Sequence, residues 1–146
     1  MDAGTVKTHR NNAVEVTWLS PRERDDAEVI QLISFGENED LQKLMKRQDT
    51  VILASRQHGR LVGVMRYTLR DKHVVIESIA VDPTRRRQGI GKHMVLNLLS
   101  RLDPKRRWIC NVNVKESDLD SQLFFSQCGF MAYEQFSGKI LFQWFA

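Results

Sequence analysis

The sequence predicts an α/β (α+β) protein built on one mixed, mostly antiparallel central sheet with helices on both faces. Three observations carry that expectation. Three runs rich in β-branched residues, Val51–Ala54, Leu61–Leu69 and Val74–Val81, are separated only by the short polar connectors RQHGR and RDKH, as in an antiparallel meander. The last run leads through a glycine-containing turn into a helical pattern and then another strand, so the stretch from His73 to Val114 reads as a right-handed parallel crossover. Two final runs, FMAYEQF and KILFQWF, face each other across Ser137-Gly138 as a hairpin.

Taken in order, residues 1–13 lack the apolar run of a signal peptide and read as a loose tail, with the domain spanning 14–146. VEVTWL (Val14–Leu19) is the first strand. Ser20 is placed to cap a helix with Pro21 at its first position, and Leu32, Ile33 and Phe35 form its buried side. A short second helix, capped near Asn38, carries Leu41, Leu44 and Met45 at i, i+3 and i+4. The meander follows. Its third strand, HVVIESIAV, is apolar on both faces except at Glu77 and Ser78, which predicts a central position. In GIGKHMVLNLLSRL the apolar residues Ile90, Met94, Val95, Leu98, Leu99 and Leu102 repeat at helical spacing until Asp103-Pro104. RRWICNVNV is a strand, and DLDSQLFFSQCG a helix begun at Asp118 and ended by Gly129.

The totals narrow the function class. At 146 residues with 42% apolar and 27% charged content, the chain suits one globular domain. No window approaches the ~18 apolar residues of a membrane span. Cys110 and Cys128 have neither CxxC spacing nor a flanking ligand cluster, so the reading is two reduced thiols in a cytoplasmic protein with no metal. The formal charge of +4 is unevenly distributed: between Arg85 and Arg107 lie eight Lys/Arg against Asp103 alone. One basic sector of this kind suits a polyanion or a small, highly charged anion.

That sector opens with VDPTRRRQGIGKHMV. A strand feeding a glycine turn and then a helix presents unpaired backbone N–H groups at the positive end of the helix dipole, which binds anions without a cationic side chain. Gly89 and Gly91 would let a phosphate approach the amides, with Arg86, Arg87 and Lys92 at the rim. The Walker pattern is absent, and the dinucleotide fingerprint fails because position 94 is Met. On the glycines alone, a basic turn using them only for backbone geometry accounts for the pattern equally well.

Arg86-Arg87-Gln88-Gly89-Ile90-Gly91 resembles the Q/R-x-x-G-x-G/A acetyl-coenzyme A motif of the GNAT N-acetyltransferase superfamily. It stands after a strand ending IAVDP and opens an apolar helix, as in that family, and VNVKESDLDSQLFFSQCGF resembles the family's later strand and helix with their Gly-Phe end. The resemblance implies the GNAT-like acyl-CoA N-acyltransferase fold, with acetyl-CoA as cosubstrate. It implies that backbone amides from Arg87 to Lys92 hold the pyrophosphate, and that backbone groups of Ile79 and Val81 pair with the pantetheine arm. Two splayed strands would admit the cofactor, while an amine acceptor approaches from the opposite side. An N–H near Ile79 or Ala80 would polarise the thioester carbonyl.

Transfer to an amine needs a base, and Glu77 is the candidate, because burial in an apolar strand would raise its pKa. Structural pairing with an arginine such as Arg66 is the other reading. The family commonly places an acid tyrosine four residues before the Gly-Phe pair; here that position is Phe125. Where the family often has Asn, this chain has Asp118, which can still cap the helix. Water, Tyr133 or Tyr67 would then protonate the thiolate. The Glu37–Asp40 cluster reads either as an acidic lip for a cationic amine or as first-turn acids complementing the helix dipole, and the alternating Asn111 and Asn113 give a polar face to line the cleft; His58, His73 and His93 read as solvated.

The sequence thus predicts an acetyl-CoA-dependent N-acetyltransferase acting on a small-molecule or peptide amine. One rival is a non-catalytic coenzyme A-binding or acyl-sensing domain, encouraged by Phe125. A nucleic-acid-binding module ranks lower, because no aromatic stacking run adjoins the arginines. No membrane partner is expected, and the hairpin strand KILFQWF offers an edge for a homodimer.

Overall fold

The computed structural model describes residues 14–35 and 40–146. The expected tail, the Asn38 cap and the acids Glu37 and Glu39 lie outside the described residues, as do the side chains of Leu32, Ile33 and Phe35. Among the described residues seven strands form one sheet: β1 (Val14–Trp18), β2 (Thr50–Gln57), β3 (Arg60–Leu69), β4 (His73–Val81), β5 (Ile109–Lys115), β6 (Met131–Phe136) and β7 (Lys139–Phe145). The order across the sheet is β1-β2-β3-β4-β5-β7-β6, and among the described residues β4–β5 is the one parallel pair. The strand β4 is central, as its two apolar faces predict.

The helices are α1 (Arg24–Phe35), α2 (Leu41–Leu44), α3 (Ile90–Leu99) and α4 (Leu119–Gln127). Two separate apolar clusters show that they cover both sheet faces. Ala27, Ile30 and Leu41 of α1 and α2 pack with Ile52, Val64 and Ala80. Met94, Val95, Leu98 of α3 and Phe125 of α4 pack with Leu53, Met65, Tyr67 and Val112 on the other face.

Local chemistry explains most boundaries. Ser20 and Glu23 form a capping box around a 3-10 turn at Pro21–Glu23, so regular α-helix begins at Arg24 instead of Pro21. Asp40 caps α2 by accepting from the Lys43 N–H. His58 and Gly59 both take positive φ, 55° and 76°, and make a two-residue hairpin turn of RQHGR. Ser137 and Gly138, at 49° and 77°, do the same for β6–β7. Gly129, at φ 97°, ends α4 as expected.

One expectation about the edge is corrected. The strand KILFQWF is not at the rim, because it pairs with β5 on one side and β6 on the other. The C-terminal edge is β6, exposed along its whole length and bulged at Tyr133, where the register with β7 slips.

Candidate active site

The crossover β4–α3–β5 builds the site. The β4–β5 ladder runs only from His73↔Ile109 to Ile76↔Val112, and from Glu77 onward the two strands part. At the same residue the β3–β4 register slips: Tyr67 faces Ile76 and Arg66 faces Ser78, which leaves Glu77 as the extra residue of a bulge. A bulge bends its strand and increases the local twist. It thus both opens β4 away from β5 and turns Glu77 out of the sheet's regular alternation.

The parted end of β4 borders a cleft of about 550 Å³. Its floor is Ile79, Ala80 and Val81 of β4 and Ile90 of α3. Arg85, Arg86, Arg87 and Lys92 supply cations at the helix start, and Ser121, Phe124 and Phe125 of α4, with Cys128 at its C-cap, form the far wall. The cap of α3 is Gly89 at φ 77°, with no side-chain hydrogen bond to the first turn. The N–H groups of that turn are therefore left for a ligand. Arg87 also has positive φ, 66°, a strained conformation for a residue with a Cβ that concentrates at ligand-binding turns.

The two glycines of the turn differ in use. A Cβ on Gly89 would meet nothing within 4 Å, so its bare backbone borders open space. A Cβ on Gly91 would stand 3.4 Å from the Phe124 ring and 3.6 Å from Val81 Cγ2. Gly91 is thus where α4 closes on the start of α3, and its main service is packing.

The turn is held from beneath. Gln57, 3% exposed at the end of β2, accepts from Arg85 Nη1 at 3.0 Å and donates to Gln88 Oε1 at 3.4 Å. Gln88 accordingly points to this support and does not line the cleft. Asp118 is also spent elsewhere: its carboxylate accepts from Ser121 N–H at 3.1 Å and Ser121 Oγ at 2.6 Å, capping α4. Asp118 is absent from the cleft lining, whereas Asp120 and Ser121 belong to it.

Glu77 is exposed, which overturns the expectation of burial in an apolar strand. Its Oε2 accepts from Thr68 Oγ1 at 2.8 Å. Thr68 is 3% exposed and follows Tyr67, whose ring belongs to the core under α3, so Thr68 lies on the opposite sheet face. The carboxylate and the cleft thus sit on opposite sides of β4.

Phe125 is 3% exposed and stacks edge-on against Phe124 and Phe130, with ring centroids 5.0 Å and 5.4 Å away. Neither expected substitute acid is near: Tyr67 is buried in the core and Tyr133 is exposed on the outer strand, and neither lines the cleft. Burial pushes the Cys128 thiol up, partly opposed by Lys92, and pushes Cys110 up to about 12, so both keep their protons. Among the described residues no cluster of His, Cys, Asp or Glu could hold a metal ion. No helix among the described residues is long and apolar enough to cross a membrane.

The model of the Acetyltransferase (GNAT) family matches residues 12–130. The chain belongs to this family. Solved structures agree on the GNAT fold. The ribosomal-protein-S18-alanine N-acetyltransferase of Escherichia coli superposes with a TM-score of 0.75 at 16% identity, covering 89% of this chain and 92% of that one. The PaiA N-acetyltransferase of Thermoplasma acidophilum, in complex with coenzyme A, gives 0.75 at 13% identity, covering 91% and 99%. A GNAT acetyltransferase of Elizabethkingia anophelis with acetyl-CoA bound gives 0.73 at 14%, covering 94% and 100%. No curated protein sequence matches the chain.

Within the GNAT frame, sequence reasoning missed Arg85, Gln57 and Cys128. Arg85 is one more cation in a visible run. Cys128 follows Phe124 and Phe125 by four and three residues, one helical turn, which was available as a signal. Gln57 lies 28 residues before Arg85 and carries no local signal at all.

Proposed function

We propose that this protein is an acetyl-CoA-dependent N-acetyltransferase working by direct attack of an amine on the thioester. The observation that carries the reading is the continuity of the parted β4–β5 edge with the uncapped, cation-rimmed N-terminus of α3. A linear molecule with a peptide-like arm and a charged pyrophosphate fits that sequence of surfaces. Backbone groups of Ile79 and Val81 pair with the arm, and the amides from Arg87 to Lys92 take the phosphates, with Arg85 and Arg86 at the rim.

The acceptor nitrogen reaches the carbonyl from the Glu77 side of β4. Its proton passes to Glu77, directly or through one water, while an N–H near Ile79 or Ala80 stabilises the carbonyl oxygen. The nitrogen–carbon bond forms, the carbon–sulfur bond breaks, and the thiolate leaves. With Phe125 in place of an acid, water reprotonates it; a thiol near pKa ~8.5 leaves readily without help. Thr68 acts as a positioning residue that fixes the Glu77 carboxylate.

The acceptor is an amine of a small molecule or of a peptide, and the reading places the protein in the cytoplasm. One GNAT structure of the same fold is named for acetylating an alanine of a ribosomal protein, so peptide N-termini belong in the screen beside polyamines and other small amines. The test is acetyl-CoA binding followed by release of free thiol with a panel of such acceptors. Thiol release that depends on an amine supports transfer. Binding without turnover on any amine supports the second reading, a coenzyme A-binding domain that does not transfer, which Phe125 favours.

A further inference from the structure

The basic sector seen in the sequence divides into two groups in the fold. Arg85 to Lys92 surround the N-terminus of α3. Arg101, Lys105, Arg106 and Arg107 follow its C-terminus, across a ten-residue helix about 15 Å long. Coenzyme A chemistry absorbs only the first group.

Hydrogen bonds tie part of the second group to the β3–β4 turn. Arg107 Nε donates to the Arg70 carbonyl at 2.6 Å, and Trp108 N–H to the Lys72 carbonyl at 3.1 Å. These bonds fasten the loop after α3 to the β3–β4 turn and bring Arg70 and Lys72 beside it. Of the nearby acids, Asp49 binds Arg47 and Arg70, Asp103 accepts from the Lys105 backbone N–H, and Asp71 is exposed between Arg70 and Lys72, so the cations still outnumber the carboxylates. Among the described residues no carboxylate pairs with Lys72, Lys105 or Arg106, all exposed.

Aromatic rings adjoin these cations. Trp108 packs on Phe145 with centroids 5.8 Å apart, and the two remain 36% and 52% exposed. Arg101 stands over the ring of Trp18, 5.3 Å from its centroid, and Trp18 is 59% exposed. The sequence hides this arrangement, because Trp18 and Phe145 come from opposite ends of the chain.

We propose that this end of the molecule binds single-stranded nucleic acid, independently of the coenzyme A cleft. Cations take the phosphates, and exposed rings offer faces on which unpaired bases stack. An acidic peptide would use the cations but leave the rings without a role, and a duplex keeps its bases out of reach of stacking.

The test is fluorescence anisotropy with a labelled single-stranded oligonucleotide of about 15 nucleotides, titrated from about 50 to 200 mM salt. Binding is expected, with affinity falling log-linearly with salt. Combined Lys105→Glu and Arg106→Glu should weaken it at least tenfold and reduce the salt slope by about two. Trp108→Ala should weaken it about tenfold with the slope unchanged. Thermal melts control for folding, and Phe145→Ser replaces Trp108→Ala if that variant does not fold. Saturating coenzyme A should not displace the strand.

Absence of binding at low salt overturns the proposal, as does indifference to the charge reversal. Displacement by coenzyme A, or loss on Arg86→Glu with Lys105 and Arg106 intact, places the polyanion in the cleft and also overturns it. Unchanged affinity in both aromatic variants, with polyglutamate competing as well as the oligonucleotide, makes this an acidic-protein surface instead.

Discussion

Gln57 accepts a hydrogen bond from Arg85 at 3.0 Å while 97% of its surface is withdrawn from solvent, so the last residue of β2 supports the anion-binding turn from the protein interior. Replacing it with Leu removes the acceptor and the contact to Gln88 together. Losing a hydrogen bond to a charged group costs about 1.5–3 kcal/mol. Coenzyme A affinity in Gln57→Leu should therefore fall by tenfold or more in calorimetry. Pantetheine, which lacks the pyrophosphate, should bind the variant and the parent alike. Equal losses for both ligands would mean that Gln57 supports the fold at large.

Glu77→Gln keeps the Thr68 hydrogen bond but cannot take a proton. With the true acceptor, kcat should fall by about 10²–10⁴-fold. The dependence of kcat/KM on pH should differ between the parent and the variant. An unchanged pH–rate profile would remove Glu77 from the base role. Thr68→Val should give a smaller loss, recovered in part by Thr68→Ser, as expected of a group acting through the carboxylate.

Phe125→Tyr adds one oxygen at a side chain that already lines the cleft. It should raise kcat several-fold under conditions where thiolate protonation limits the rate, with the KM for acetyl-CoA little changed. A fall in kcat with an intact melt would show that the hydroxyl cannot be accommodated between Phe124 and Phe130.

Away from the site, Arg56 ties the start of α1 to the sheet. Its guanidinium donates to Glu23 at 2.6 Å and to the Trp18 carbonyl at 3.0 Å. Hydrogen bonding from Arg56 pulls the Glu23 carboxyl from 4.5 down to about 2, against the opposing effect of burial. A depressed carboxyl contributes stability that is full above its unfolded pKa and lost as pH falls through the folded one. Glu23→Gln should thus cost on the order of 2–3 kcal/mol near neutral pH and almost nothing at about pH 2. Urea unfolding at both pH values checks this.

The two thiols report on the cleft. Cys110 is fully buried in the core, while Cys128 is 5% exposed in the cleft wall. Alkylation should be slow at both, since each holds its proton. Coenzyme A should slow it further at Cys128 and leave Cys110 unchanged, as read by peptide mass spectrometry. Failure to protect Cys128 would place the ligand elsewhere.

What could be read from the sequence was what is local. The crossover, the uncapped helix start, the Gly129 stop and the Ser137-Gly138 turn follow from short stretches of chain whose φ or periodicity is set by their own residues. The features that resisted are long-range. Nothing in HVVIESIAV announces a bulge at Glu77, because a register slip is a property of two strands; the otherwise apolar strand therefore predicts burial where the structure has exposure. The order β5-β7-β6 likewise depends on which hairpin strand finds β5. The Gln57 support and the ring-and-cation surface around Trp108 join residues brought together only by the sheet.

The central claim is that the start of α3 and the parted β4–β5 edge together hold coenzyme A. Calorimetric titration of coenzyme A into the parent and into Gly91→Trp, whose indole would project into Phe124 and the cleft, tests it most directly. The parent should bind and Gly91→Trp should give no binding heat while retaining a cooperative melt. Equal affinity in both, or no binding by the parent, would contradict the account.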